Sequence, residues 1–224
     1  MTPRDDVCVV IPVFNEASVI ADVVRTVRKR YPLVVCVDDG SSDDSAAAIA
    51  AAGAVLVRHP INLGQGAALR TGMDYALSLE QARYLVTFDA DGQHDVEDVP
   101  QMLELLDSGE AQIVFGSRFL DRRTRVGGAK RIVLAAAIRY SRASTGLSLT
   151  DTHNGLRAFT REVAGALDLQ INGMAHASEL LSLVARHRFR YAEVPVHIRY
   201  TEYSRSKGQP LMNGVNIIFD LLFR

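Results

Sequence analysis

Short apolar runs alternate with stretches of helical periodicity along the first half of this chain. The apolar runs predict strands at residues 7–13, 33–37, 54–57, 82–87 and 113–115. The stretches between them predict helices at residues 17–30, about 43–52, 67–79 and 96–106. We expect Ser42 or Asp43 to cap the second helix and Gly53 to close it. This alternation favours an α/β fold, with a mainly parallel sheet and helices on both of its sides.

The second half of the chain is less regular. Polar loops are predicted at residues 121–130 and 201–209. Helices are predicted at residues 130–144, 161–167, 177–187 and 212–223, and strands at residues 156–159 and 190–199. No repeat or linker divides the 224 residues, so we predict one domain with a mixed sheet.

The composition excludes several classes of protein. Hydrophobic residues make up 48% of the chain and charged residues 23%, which is typical of a soluble globular domain. Lys and Arg (25) nearly balance Asp and Glu (26), so the net charge of -1 argues against a nucleic-acid partner. Cys8 and Cys36 lie in apolar runs, and we expect them to be buried free thiols in a reducing compartment.

Nothing in the sequence predicts a membrane span. The chain begins without an apolar signal region, and no uninterrupted apolar run is long enough to cross a bilayer. We therefore expect a cytoplasmic protein, with the inner face of the membrane as the alternative location. The helix predicted at residues 212–223 is interpreted as a packing helix, and docking of its apolar side on a membrane partner is the alternative.

Two carboxylates follow the strand predicted at residues 82–87. Asp89 and Asp91 are separated by one small residue, and in an extended chain residues i and i+2 point to the same side. Two adjacent anions repel each other unless a positive charge lies between them. A hard divalent cation prefers such ligands and keeps room for water and phosphate oxygens. An acidic turn is the alternative, but open α/β sheets bind ligands at the carboxyl ends of their strands.

Polar loops follow three of the predicted strands. They comprise residues 12–16, 38–41 and 89–91, and in a parallel sheet all of them lie at the same edge. None has the glycine-rich phosphate loop of P-loop or dinucleotide-binding proteins. The crevice between them is acidic, so we expect it to hold a diphosphate through a metal ion and to recognise a base or ribose through carboxylates.

Several motifs resemble, in this order, those of family 2 glycosyltransferases. They are IPVFNE at residues 11–16, VDDGSSD at 37–43, NLGQGA at 62–67 and DADGQH at 89–94. Further motifs extend the likeness over nearly the whole chain, namely GSR at residues 116–118, DTHNGLR at 151–157 and SK at 206–207. Within the family, the chain most resembles the polyprenyl-phosphate branch, whose type is dolichol-phosphate mannose synthase.

The resemblance implies a single GT-A domain over residues 1–224, which is a Rossmann-like α/β fold that binds nucleotide sugars. Residues 1–118 would bind the donor, a GDP- or UDP-sugar, and residues 119–224 the acceptor. The implied donor-binding residues are Pro12, Phe14, Glu16, Asp38 or Asp39 at the base, Asp89, Ala90, Ser206 and Lys207. Mg2+ or Mn2+ would be held by Asp89, Asp91 and Gln93, and the implied catalytic residues are Asp91, Asp151 and Arg118.

The expected reaction is the transfer of one sugar, with inversion, to a polyprenyl phosphate, and a saccharide hydroxyl is the alternative acceptor. A lipid phosphate is already anionic and needs no strong base, whereas a hydroxyl needs a carboxylate to take its proton. Asp151 is the candidate base, and a turn cap is its structural alternative. Two rival functions are a sugar-1-phosphate nucleotidyltransferase and a nucleotide-sugar-binding subunit without catalysis. The nucleotidyltransferase would need a basic glycine-rich loop near the N-terminus, where this chain is acidic instead.

Other polar residues have two interpretations each. His94 and His153 are expected to line the site rather than bind metal, because no second histidine lies at ligand spacing. Glu179 is either a first-turn charge of a helix or a site residue. The basic residues between 122 and 131 form either a solvated face or a phosphate contact. The basic motif of the family is longer here between Arg199 and residues 206–207, and it has no glycine.

Overall fold

The computed structural model describes residues 3–120, 138–139 and 141–199. Their strands are β1 (Val7–Val13), β2 (Leu33–Asp38), β3 (Val55–Arg58), β4 (Tyr84–Thr87), β5 (Ile113–Ser117), β6 (Arg157–Thr160) and β7 (Tyr191–Pro195). They form one seven-stranded sheet in the order β3-β2-β1-β4-β6-β5-β7. Strand β6 runs antiparallel to its neighbours β4 and β5, whereas every other pair is parallel. The sheet is therefore mixed, as predicted.

Helices cover both faces of this sheet. They are α1 (Ile20–Arg28), α2 (Ser45–Ala52), α3 (Gln65–Ser78), α4 (Val99–Asp107), α5 (Arg161–Ala166) and α6 (His176–His187). A 3-10 turn, Val96–Asp98, leads into α4. Helices α1, α2 and α4 lie on one face, and α3, α5 and α6 lie on the other. The molecule thus has three layers, and the predicted α/β class is confirmed.

Strand β1 shows why the apolar runs are continuous. Its alternate residues face opposite layers, with Val9 and Ile11 in the core on the α1 side and Cys8 and Val10 in the core on the α3 side. Every residue of β1 is buried. A strand covered on both faces needs apolar residues at every position rather than at every second one.

Both cysteines behave as predicted. Cys8 and Cys36 are free and buried, and burial raises the pKa of each thiol to about 12. They are therefore protonated and act as small apolar core residues.

The predicted cap of α2 is wrong. Asp44 is the residue that precedes the helix, and its side chain makes no capping hydrogen bond. The carboxylate of Asp43 instead accepts from the backbone N–H and the hydroxyl of Ser45 and from the backbone N–H of Ala17. Asp43 therefore joins the start of α2 to the loop after β1. Gly53 ends α2 in the left-handed region, with a φ of 81°, as predicted.

Several predictions lie outside the described residues. These are the basic loop at residues 121–130, the helix at 212–223, and Ser206 and Lys207. In the helix predicted at residues 130–144, the described positions 138–139 and 141–144 are helical. Among the described helices, none is both long and apolar enough to cross a membrane.

Gly72 allows α3 to lie directly on the sheet. A Cβ at this position would be 2.3 Å from Cγ1 of Val10 and 3.1 Å from Cγ2 of Val37. We expect Gly72→Ala to lower the free energy of unfolding by about 1–3 kcal/mol, because α3 must move away from β1 and β2. Urea unfolding measures this change.

Gly165→Ala is the matched control. Gly165 lies in α5, and nothing lies within 4 Å of the position of its Cβ. Alanine is the better helix former, so we expect this change to raise the free energy of unfolding by up to about 1 kcal/mol. Equal effects of the two substitutions would contradict the close approach at Gly72.

Candidate active site

The loops that follow β1 and β2 are joined by hydrogen bonds. Asn15 has a φ of 55°, a left-handed conformation that asparagine tolerates. Its backbone N–H donates to Oγ of Ser41, and its side-chain oxygen accepts from the backbone N–H of Ser42. The backbone N–H of Glu16 donates to Oγ of Ser45. The IPVFNE and DDGSSD motifs therefore form one wall of a crevice at the carboxyl ends of the strands.

Asp39 organises the third loop of this wall. Its carboxylate accepts from Nδ1 of His59 at 2.7 Å and from the backbone N–H groups of Leu63 and Gly64 at 2.9 and 2.8 Å. Nε2 of His59 lies 3.0 Å from the hydroxyl of Thr71 in α3. Both oxygens of Asp39 thus hold the segment between β3 and α3, which sequence reasoning did not foresee.

Asp38 is also buried and also engaged. It accepts from the backbone N–H of Ser41 at 3.0 Å and forms an ion pair with Nε of Arg58 at 3.2 Å. The Arg58 side chain is 60% exposed, so its end of the ion pair is open to solvent. Which of Asp38 and Asp39 would contact the base of a nucleotide stays a prediction. Asp38 is the one whose ion-pair partner, Arg58, has an exposed side chain that can move aside.

Asp89 lies just beyond the end of β4, with its side chain 32% exposed. A Cβ on Gly155 would lie 2.2 Å from its Oδ2, so only glycine fits beside this carboxylate. Nε2 of His94 donates to the same oxygen at 2.9 Å. Burial opposes the charge of Asp89, but the attraction of His94, with smaller contributions from Arg157 and His176, keeps the pKa of Asp89 below its ordinary value. This carboxylate is therefore ionised and fixed in orientation.

Asp91 has the opposite balance. Burial raises the pKa of its carboxyl group, and the negative charge of Asp89 raises it further, with a smaller contribution from Glu16. Its oxygens accept from the backbone N–H of Gln93 at 3.0 Å and from the side-chain nitrogen of Gln93 at 2.6 Å. The two carboxylates thus act on each other, and the negative charge of the pair is only partly balanced.

This donor set fits a divalent cation that is completed by its substrate. Within the described ranges, no three His, Cys, Asp or Glu side chains converge as a metal site. Mg2+ is commonly held by one or two carboxylates together with substrate phosphates. A cation between Asp89 and Asp91 would relieve the repulsion that raises the pKa of Asp91. Gln93 currently donates to Asp91, so it would have to present its oxygen instead to serve as a ligand.

Arg118 and Asp151 form a buried ion pair on the other side of the crevice. Nε and the backbone N–H of Arg118 donate to Oδ2 of Asp151 at 2.6 and 3.1 Å, and Nη2 donates to the carbonyl of His153 at 3.3 Å. The other oxygen of Asp151 accepts from the backbone N–H of His153 at 3.4 Å. Two residues predicted to act separately are therefore partners in this structure.

Glu193 supports this ion pair from β7. Its carboxylate accepts from the backbone N–H groups of Thr150 and Asp151 and from the hydroxyl of Thr150. Burial raises the pKa of Glu193, and these hydrogen bonds oppose that shift. Sequence reasoning missed Glu193, because only the pairing of β7 with β5 brings it to residues 150–151.

A buried basic cluster lies behind Asp89. Arg157 lies close enough to His153 and His176 for its charge to affect the pKa of both, and Arg157 and His176 also act on Asp89. Nδ1 of His176 donates to the carbonyl of Gly173 at 3.0 Å. Burial lowers the pKa of His153, and repulsion from Arg157 and Arg118 lowers it further, while the attraction of Asp151 only partly opposes this shift. His153 and His176 are therefore both neutral at physiological pH. Their neutral state argues against a charged role and does not test a role in metal binding.

The remaining predicted residues occupy distinct places. Pro12 is buried in β1 and Ala90 beside Asp89, whereas Phe14 is 46% exposed at the mouth of the crevice. Glu179 accepts from the backbone N–H groups of Gln170 and Ile171, which is a structural contact. Arg199 forms an ion pair with Asp95 and donates its backbone N–H to the carbonyl of Gln93.

Known proteins resemble this chain in both sequence and fold. The profile of the family described as Glycosyl transferase family 2 matches residues 8–167. The chain is 34% identical to the polyprenol monophosphomannose synthase of Mycolicibacterium smegmatis, over 96% of this chain and 84% of that protein. It is also 34% identical to an uncharacterized protein of Methanocaldococcus jannaschii, over 99% of this chain and 93% of that protein.

Another relative is the UDP-N-acetylglucosamine–dolichyl-phosphate N-acetylglucosaminyltransferase of Methanococcus voltae. It is 28% identical over 95% of this chain and 93% of its own length. Among solved structures, glucosyl-3-phosphoglycerate synthase from Mycobacterium tuberculosis, in complex with Mg2+ and UDP, matches with a TM-score of 0.71 at 22% identity, over 96% of this chain and 78% of that chain. This structural likeness confirms the GT-A fold.

The fold and the relatives together define the molecule as a glycosyltransferase. The chain belongs to glycosyl transferase family 2, because the family profile covers most of its length. The resemblance seen in the motifs is thereby confirmed, and a glycosyltransferase is favoured over a nucleotidyltransferase or a non-catalytic binding subunit.

His176 makes stability depend on pH. Burial, followed by repulsion from Arg157, lowers the pKa of His176 from 6.5 to about 4. The unfolded chain takes up the proton first as pH falls, so this group lowers the free energy of unfolding between pH 6.5 and about 4, by up to about 3 kcal/mol. We expect His176→Asn, which keeps a donor for Gly173, to flatten this part of the profile.

Urea unfolding between pH 4 and 7.5 measures the slope. His187→Asn is the control, because His187 is exposed at the end of α6 and is expected to keep the wild-type profile. The same slope in wild type and His176→Asn would contradict the assignment.

Proposed function

We propose that this enzyme transfers one sugar from a GDP- or UDP-sugar to a polyprenyl phosphate, with inversion and with Mg2+ or Mn2+. The observation that carries the proposal is the pair formed by Asp89 and Asp91 at the end of β4. Their charges act on each other, and only Asp89 has a basic side chain bonded to it, His94. Such a pair suits a cation that brings a diphosphate into an acidic crevice.

The names of the relatives support the acceptor and the metal. One relative is named as a polyprenol monophosphomannose synthase and another as a dolichyl-phosphate N-acetylglucosaminyltransferase. The structural neighbour is described with Mg2+ and UDP. We extend a lipid phosphate acceptor, a nucleotide donor and a divalent cation to this chain from these descriptions together with its own acidic pair.

The chemistry requires charge stabilisation more than proton transfer. An oxygen of the acceptor phosphate bonds to the anomeric carbon as the bond from that carbon to the donor diphosphate breaks. The electron pair leaves with the nucleoside diphosphate, and attack from the opposite face inverts the configuration. When bound, the cation would supply positive charge to the departing diphosphate. Asp89 and Asp91 would hold it, and Gln93 is the third predicted ligand.

The ion pair of Arg118 with Asp151 supports an acceptor that needs no base. Asp151 is buried, and both of its oxygens already accept hydrogen bonds from Arg118 or His153. A carboxylate held in this way is poorly placed to take a proton from a hydroxyl. The predicted role of Asp151 as a base therefore becomes, in this proposal, the positioning of Arg118 toward the phosphates.

The donor would lie along β1, β2 and β4. In this proposal Phe14 and Pro12 border the base, Glu16 and Asp38 recognise the nucleoside, and Asp89 and Ala90 lie beside the sugar. Ser206 and Lys207 add donors for the diphosphate. Residues 1–118 form the donor half and residues 119–224 the acceptor half of one catalytic domain. The enzyme would work at the inner face of the membrane, where its acceptor lies.

Asp91→Ala tests the metal site. We expect wild type to show a higher melting temperature with UDP and Mn2+ together than with either alone, because a ligand that binds only the folded state stabilises it. Asp91→Ala should lose this joint increase. Its melting temperature without ligand should not fall, because burial of Asp91 opposes its ionisation.

Asp22→Ala is the matched control, since the Asp22 side chain of α1 is 86% exposed and pairs with the exposed Arg25. It should keep the full joint increase. A wild-type response in Asp91→Ala would refute the proposed metal site, and thermal scanning with GDP and Mn2+ would identify the base.

The acceptor can be tested with lipids that differ only in charge. We expect transfer of radiolabelled sugar to liposomes that carry polyprenyl phosphate and none to liposomes that carry the free polyprenol, because an alcohol needs a base. Product should release sugar of inverted configuration relative to the donor. Efficient transfer to the polyprenol or to a soluble saccharide would instead favour the alternative acceptor, a hydroxyl.

A further inference from the structure

Arg157 is a buried cation at the edge of the candidate active site. Because β6 is antiparallel, its first residue pairs with Thr87, near the end of β4, and with Phe115 of β5. Arg157 is only 3% exposed. The antiparallel strand thus brings a guanidinium to the edge of the sheet where the parallel strands end.

The acidic neighbours of Arg157 are bonded to other residues. Asp89 accepts from His94 at 2.9 Å, and Asp151 accepts from Arg118 at 2.6 Å. Among the residues that the structure describes, none forms an ion pair or a side-chain hydrogen bond with Arg157. Burial lowers the pKa of Arg157, and the attraction of Asp89 and Asp151 offsets that effect only in part.

The guanidinium of Arg157 is enclosed without being completely sealed from solvent. In the described part of the chain, the enclosed side-chain nitrogen and oxygen atoms without a partner are Nδ1 of His94 and Nδ2 of Asn154. The nitrogens of Arg157 are not among them, and no described residue bonds to them, so the 3% of Arg157 that is exposed includes part of the guanidinium. Five N–H donors in a fixed fork suit a phosphate oxygen.

The strand order indicates which phosphate this is. The loops that would hold the nucleoside follow β1 and β2, and Asp89 follows β4. Arg157 belongs to β6, which lies beyond β4 on the side away from β1 and β2. If the nucleoside of the donor lies over β1 and β2, the reacting carbon of the sugar lies near Asp89. Arg157 then lies beyond this carbon, on the side from which the acceptor approaches.

We propose that Arg157 binds an oxygen of the acceptor phosphate and so places the acceptor against the sugar. This inference rests on the proposed function and adds to it the residue that selects an anionic acceptor. It assigns to Arg157 a direct contact with the acceptor phosphate, in addition to the proposed role of Arg118, which Asp151 holds in position.

The alternative is that Arg157 is only a structural counter-charge for Asp89. Arg161, four residues further along, shows what a structural arginine looks like in this protein. Its guanidinium donates to the carbonyl oxygens of Leu77, Leu79 and Ala82 at the end of α3. Substitution of Arg161 removes all of these bonds and leaves partly buried carbonyl groups without partners.

Arg157→Met, Arg157→Lys and Arg161→Met separate the two interpretations. The probes are farnesyl phosphate as a short acceptor, UDP with Mn2+ for donor binding, and urea unfolding for stability. We expect Arg157→Met to raise the apparent KM for farnesyl phosphate about 10- to 100-fold, the loss expected of charge-assisted hydrogen bonds. Its affinity for UDP with Mn2+ should stay within about 2-fold of wild type, a change of under ~0.5 kcal/mol.

Stability provides the second readout. Removing a buried charge that lacks a bonded partner is expected to leave the urea midpoint of Arg157→Met unchanged or to raise it. Arg161→Met should lower the midpoint and keep the wild-type KM. Arg157→Lys, which keeps the charge and loses the fork, should fall between wild type and Arg157→Met in KM.

Three outcomes would overturn the inference. The first is a wild-type KM for farnesyl phosphate in Arg157→Met. The second is a loss confined to UDP affinity, which would assign Arg157 to the donor diphosphate. The third is a rise in KM that is accompanied by a fall in the urea midpoint of the same variant. Failure of the proposed function shows earlier and separately, as an absence of transfer from wild type to any prenyl phosphate while wild type still hydrolyses the donor.

Discussion

The pairing of β6 between β4 and β5 is the constraint on which the site depends. A purely parallel sheet would bring only the ends of its strands to the crevice. The antiparallel strand brings its beginning there, together with the loop that precedes it. Gly155 and Arg157 thereby reach Asp89, and the hydroxyl of Thr87 donates to the carbonyl of Gly155. One reversed strand thus surrounds the acidic pair with groups that a parallel sheet cannot supply.

The aspartates of the crevice differ in how many hydrogen-bond donors balance their charge. Asp39 and Asp151 are each bonded by several donors and belong to the framework. Asp89 has one basic partner, and Asp91 has none among the described residues apart from the amide of Gln93. Partly balanced charge is costly to bury, so its retention at this place indicates a binding role rather than a structural one.

The sequence predicts the first half of the fold well, because each strand and helix there has its own periodicity. Val7–Val13 shows this, since burial on both faces makes its whole length apolar. The acidic ends of β1, β2 and β4 follow directly from that pattern. The roles of Asp39 and Glu193 could not be predicted, because their partners are set by loop contacts and by the position of β7. The cap of α2 failed for a similar reason, since Asp43 bonds across to Ala17 as well as to Ser45.

Arg157 illustrates the same limit. Its motif was visible in the sequence, but its burial depends on a strand that pairs with β4 across some 70 residues of chain. Periodicity has no information about such distant pairing, because strand order is a property of the assembled sheet. The register of Thr87 with Arg157 places this arginine at the edge of the sheet where the parallel strands end, and its 3% exposure shows that it is buried there.

Strand β5 lies in residues 1–118, the proposed donor half, yet both of its neighbours in the sheet, β6 and β7, lie in residues 119–224, the proposed acceptor half. The boundary between the two proposed halves of the sequence therefore does not separate two structural units. A chimera that joined this donor half to the acceptor half of another enzyme at residue 118 would have to rebuild the hydrogen-bond ladders on both sides of β5. Exchange of acceptor preference is better attempted through individual side chains at the crevice, because recombination of whole segments would cut the sheet apart.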